Sequence, residues 1–306
     1  MRLFPAPMLA IALVLGACAS DGSRKSSAGA KMVKAEELPP EHRAVLEAWR
    51  AGGAAWEIER ERVRGDAELT RFLVDNLVVQ MVRSFDRSAI GSAVHPDSPF
   101  TRAQAELALF PETSVPVLVE LLLVHDDIVA FLAADTLKRI GVATVDPVAK
   151  KLGAPEPELR RRVVELLEAL PDSPSNEQAL EDELARLVEH DGAWIVRAQA
   201  ARSLGARAAR RSGKGRAGAV LGRALSDVDV EVQKAALLAL VALDEPSAVP
   251  LLIRRLERAV REGDLAALRT TQTALKRLLG ETRDLDPNEW WKRWSERGNP
   301  APPDPR

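Results

Sequence analysis

Four histidines (His42, His95, His125 and His190) and a single cysteine, Cys18, are the side chains of this sequence best suited to bind metals or attack carbon. The histidines are scattered, and none stands at H-E-x-x-H or a comparable ligand spacing. Neither a G-x-S-x-G elbow nor a glycine-rich phosphate loop occurs. The acid pairs Asp126-Asp127 and Glu181-Asp182 are expected at helix starts, where carboxylates complement the helix dipole, so structural use outweighs acid–base work. The expectation is a chain that is not an enzyme and needs no cofactor or metal.

Cys18 has a different chemistry in prospect. It closes an apolar run from Met8 to Ala19 that follows one cation, Arg2. Twelve residues are too few to span a bilayer, which takes about 20, and the pattern reads as an export signal. Its end, Leu15-Gly16-Ala17-Cys18, resembles the lipobox of bacterial lipoproteins. That resemblance implies cleavage before Cys18, acylation of its thiol and new amine, and a membrane anchor. Each buried methylene of the acyl chains contributes about 0.8 kcal/mol. The competing reading is an ordinary cleavable signal, because Ala17-Cys18-Ala19 also fits an A-x-A site. Ala19, rather than an aspartate, follows the cysteine, which under the enteric sorting rule favours the outer over the inner membrane. A protein on the periplasmic face is therefore expected.

One local charge feature could bind a partner. Between Gly192 and Ser226 there is no acid, yet eight cations occur: Arg197, Arg202, Arg207, Arg210, Arg211, Lys214, Arg216 and Arg223. Five of them, Arg207, Arg210, Arg211, Lys214 and Arg216, lie in RAARRSGKGR, expected as a loop between helices. They form either a solvated connection or an anion-binding edge for lipid headgroups, an acidic partner or a wall polymer. The formal net charge of the chain is −2, which gives no reason to expect nucleic acid. One cysteine cannot build an internal disulfide framework, so the fold must rest on a core. Abundant Arg and Ala with no Tyr fit a GC-rich bacterial genome.

The elements that position these residues are helical. Residues 18–40 are small and polar and read as a flexible tether after a signal peptide at 1–17. Residues 41–99 are expected as an N-terminal helical cap, with a break near Gly52-Gly53 and Asp66 capping an apolar stripe over 66–84. Beyond them the sequence repeats. IVAFLAADTLKRIG, ELRRRVVELLEALP, IVRAQAARSLG and EVQKAALLALVAL align on Val129, Leu159, Val196 and Val232, at spacings of 30, 37 and 36 residues. Weaker copies start near Thr101 and Ala267, and a more amphipathic helix, such as TVDPVAKKLGA or EQALEDELARLVEH, precedes each anchored one. A period of this size means stacked supersecondary units.

The V-R-x-x-A-A-x-x-L pattern, best kept by Val196-Arg197-Ala200-Ala201-Leu204-Gly205, resembles the bacterial HEAT repeat. The resemblance implies an all-α fold: a right-handed α-solenoid of about five to six helical hairpins over residues 100–283. DPNEWWKRWSE, within residues 284–298, is similar to the Trp-rich ending of HEAT-repeat proteins from planctomycetes and related bacteria. Trp290, Trp291 and Trp294 are then either a cap on the last repeat or an aromatic patch for a glycan or peptide. The tail at 299–306 is expected to be disordered. Together these readings imply a lipid-anchored, non-enzymatic scaffold for an unidentified protein partner at the envelope. Alternatives are a HEAT-scaffold enzyme of bilin lyase-like or glycosylase-like type, or a module binding anions or wall polymer.

Overall fold

The computed structural model describes residues 38–85, 95, 97–124, 126–172, 177–210, 215–244 and 248–299. Cys18, His125, Arg211 and Lys214 lie outside them. All regular structure among the described residues is helical. The chain divides after Val148 into two compact units.

The first unit holds α1 (Pro40–Ala51), α2 (Gly53–Arg64), α3 (Ala67–Ser84), α4 (Pro99–Leu107), α5 (Pro111–Leu121) and α6 (Asp127–Ile140). Helix α3 is central to this unit. It packs against α1 and α2 on one side and α4, α5 and α6 on the other, so residues 41–84 share a core with the first repeats. Leu73, Leu77 and Met81 of α3 are fully buried there, each contributing about 1.5–3 kcal/mol. Gly52 and Gly53, with φ of 68° and 66°, make the break between α1 and α2 in a left-handed conformation that a Cβ would strain. The Asp66 carboxylate accepts hydrogen bonds from the Glu68 and Leu69 N–H groups, and Asp126 caps α6 in the same way through Ile128 and Val129.

TVDPVAKKLGA does not form one amphipathic helix. A 3-10 turn (Gly141–Thr144), the five-residue α7 (Val145–Ala149) and a second 3-10 turn (Lys150–Gly153) replace it. Pro147, which has no N–H to donate, stands in the middle of this short run.

The second unit continues with α8 (Pro157–Ala169), α9 (Glu177–His190), α10 (Trp194–Ala209), α11 (Gly215–Ala224), α12 (Val230–Leu243), α13 (Val249–Glu262), α14 (Leu265–Leu279) and α15 (Pro287–Glu296). Here the repeat is plain. α8, α10, α12 and α14 pack in succession, with α9, α11 and α13 layered against them, the stacked hairpins of an α-solenoid. Val196 and Val232, the anchors of the alignment, are completely buried. So are Ala200, Ala201 and Ala236, small residues that let neighbouring backbones come close. Gly205 shows how close: a Cβ placed there would lie 2.5 Å from the Cβ of Ala239.

Candidate functional site

Most of the described cations of the 192–226 run are held by acids one repeat away. From α10, Arg197 grips Asp227 with two bonds of 2.8 and 2.9 Å and donates to the Asp191 carbonyl at 2.9 Å. Arg160 of α8 repeats this one unit earlier, gripping Asp191 at 2.8 Å twice and donating to the Ala154 carbonyl at 2.7 Å. Each aspartate also accepts from the backbone two residues on, at Ala193 and Asp229, and so shapes its joint. Burial pushes both carboxyls up, but the guanidinium and backbone N–H outweigh it and hold them below the ordinary aspartate range.

The described residues of the expected basic edge lie in different surroundings. Arg207 is not on a loop. It lies in α10, only 2% exposed, donating two bonds to the Glu177 carboxylate at 3.0 and 2.6 Å and a third to the Leu167 carbonyl at 2.5 Å. Arg210 caps the end of α10 and donates to the Glu168 carbonyl and Asp172 carboxylate. Arg216 pairs with Asp182, and Arg223 with Glu189. Asp182 thus serves an ion pair from the second turn of α9, not a helix start. Arg207, Arg210, Arg216 and Arg223 thus pair with acids 30–38 residues upstream, Arg197 with one 30 residues downstream, and Arg202 bonds Gln199.

The tryptophans are buried too. Helix α15 packs on α13 and α14, and its start carries a capping box between Asp286 and Glu289. The Trp290 indole donates to Gln272 Oε1 at 2.9 Å, and Gln272 donates onward to the Leu285 carbonyl. Trp291 donates to Glu257 at 2.8 Å, while the buried Trp294 N–H has no partner. All three close the end of the unit instead of presenting an aromatic patch.

Of the histidines, His42 stacks on Phe72 at 4.1 Å between ring centres. Among the described residues no group of three or more His, Cys, Asp or Glu side chains is placed to hold a metal ion. A cavity of about 430 Å³ in the first unit is lined by Trp49, Trp56, Arg60, Arg102 and Glu106. Arg60 and the Trp56 indole both donate to Glu106, and Arg102 donates to the Trp49 carbonyl.

A different surface is unsatisfied. Between α12 and α14 runs a groove of about 430 Å³ whose apolar lining comes from Leu237, Leu238, Val241 and Ala274. Leu238 is 66% exposed, although it sits in a helix whose neighbours are core. Lys234, Arg269 and Arg277 rim the groove, and no acid lines it. Lys234 is tied to Glu231 at 2.7 Å. Arg269 and Arg277 are exposed, and neither guanidinium bonds any described residue. The only trace of this groove in the sequence is the excess of leucine in EVQKAALLALVAL over what one buried stripe needs.

Residues 181–270 match the family model of HEAT repeats. The match runs from α9 into the first turns of α14 and so covers the charge-paired joints and one wall of the groove. No curated protein matches the chain. No described helix is long and apolar enough to cross a membrane.

Proposed function

We propose that this protein is a non-enzymatic scaffold that binds a protein partner at the bacterial cell envelope, held there by lipid on Cys18. HEAT repeats are generally protein-interaction scaffolds, and residues 181–270 match them. The observation that carries the reading is the groove between α12 and α14. Exposed leucine over a repeat packed this tightly elsewhere is apolar area that a partner would cover. The resemblance of Leu15-Gly16-Ala17-Cys18 to a lipobox supports the anchor reading, which implies the periplasmic face with the outer membrane favoured.

Photo-crosslinking residues placed at Leu238 and Thr273 in intact cells test the binding reading. Transfer to one discrete protein supports it, and the absence of any adduct there or elsewhere on the second unit contradicts it. Cys18→Ala tests the anchor. The variant should remain an unacylated precursor, whereas wild-type protein recovered from the soluble periplasm without lipid would rule the anchor out.

A further inference from the structure

We infer that the α12–α14 groove takes an extended acidic segment of the partner, in which two acids flank an apolar residue in the pattern acid-x-apolar-x-acid. This rests on the scaffold reading and gives the partner's chemistry.

Arg269 and Arg277 are separated by eight helical residues, about 12 Å along α14 at 1.5 Å per residue. In an extended chain, residues i and i+4 are about 13 Å apart, face the same way, and have i+2 between them on that face. The two guanidiniums and the apolar lining between them are thus in register with carboxylates at i and i+4 and an apolar side chain at i+2. Leu238 and Val241 of α12 would receive that apolar group, with Ala274 beneath. A single-headed amphiphile would satisfy one arginine only. An amphipathic helix would need its acids eight residues apart.

The threonines fit as well. Thr270 and Thr273 line the groove, and each hydroxyl already donates to a carbonyl of its own helix at 2.9–3.0 Å. Their oxygens therefore remain as acceptors, the complement of peptide N–H groups. Exposed groove cations also predict association that weakens with salt over a Debye length of about 8 Å at physiological ionic strength.

The test is fluorescence anisotropy on the full chain with labelled ten-residue peptides centred on ETLTE, QTLTQ or ETGTE. ETLTE is expected to bind most tightly, with affinity falling as salt rises. Arg269→Gln and Arg277→Gln should each weaken it about threefold and together about tenfold, the range of exposed ion pairs. Leu238→Asp should abolish binding with an unchanged helical circular dichroism spectrum. The inference is overturned if QTLTQ or ETGTE binds as well as ETLTE, if the double arginine variant binds like wild type, or if no peptide binds. It is overturned equally if anionic phospholipid vesicles displace ETLTE and bind through the same arginines more tightly. Should crosslinks elsewhere on the second unit capture a partner while ETLTE ignores the groove, the groove chemistry fails and the scaffold stands. Should ETLTE bind the groove while no protein crosslinks in cells, the scaffold fails and the chemistry stands.

Discussion

Two seams of the second unit are built on the same repeat and behave in opposite ways. Between α10 and α12 the helices are in close contact, Gly205 against Ala239, and Arg197 bridges the joint to Asp227. Between α12 and α14 the contact is sparse and a groove opens. Three positions 36 residues apart account for the difference. Gly205 becomes Val241, whose side chain fills the space in which the glycine let a helix approach. Arg202, which donates to Gln199, becomes the exposed Leu238. Arg197 becomes Gln233, which donates to the Asp227 carbonyl and accepts from Arg255, so the guanidinium bridge to the next joint ends there. Asp264, the counterpart at that joint, caps α14 through Ala267 and takes no guanidinium. A repeat that keeps its glycine and arginine makes a seam. One that exchanges them for valine, leucine and glutamine leaves a surface.

The largest effect should come from breaking the closed seam at its anchor. Val196→Asp buries an unpaired charge and should cost about 4 kcal/mol or more, seen as loss of the cooperative transition in urea. Gly205→Ala must push Ala239 aside and should cost about 1–3 kcal/mol in the same measurement. Val241→Ala, at the equivalent position of the open seam, should cost less than about 1 kcal/mol, because nothing there is tightly packed. Equal costs for the two substitutions would erase the distinction between the seams.

The charge bridges sharpen the contrast through pH. Asp191 and Asp227 have folded pKa values below the unfolded aspartate value of about 3.9, so their contribution is present above that value and lost as pH falls through the folded one. Asp227→Asn should lower stability at neutral pH and flatten its decline below about pH 4. The smallest effect is expected on the open seam itself: Leu238→Asp should shift stability by no more than about 0.5 kcal/mol.

The repeat was legible because its signal is local: small residues and leucines at helical spacing around Val196 and Val232, with aspartates at the joints. The caps were legible for the same reason, and Asp66, Asp126 and Asp286 all accept the bonds their positions imply. The fate of the basic run was not. Eight cations without an acid read as a charged edge, but Arg197 and Arg207 find carboxylates 30 residues away, one repeat distant. Charge balance in a stacked repeat is vertical, and a scan along the chain sees only one level of it. The groove was hidden for a related reason: Leu238 looks like core until α14 is known to pass without covering it.

Methyl-resolved NMR of leucine- and valine-labelled protein, titrated with the ETLTE peptide, tests the account most directly. The Leu238 and Val241 signals should shift together, with those of Val196 and Leu204 at the closed seam unmoved. Shifts spread over α9 to α11, or confined to the first unit, would contradict the claim that the open seam is the surface this protein offers.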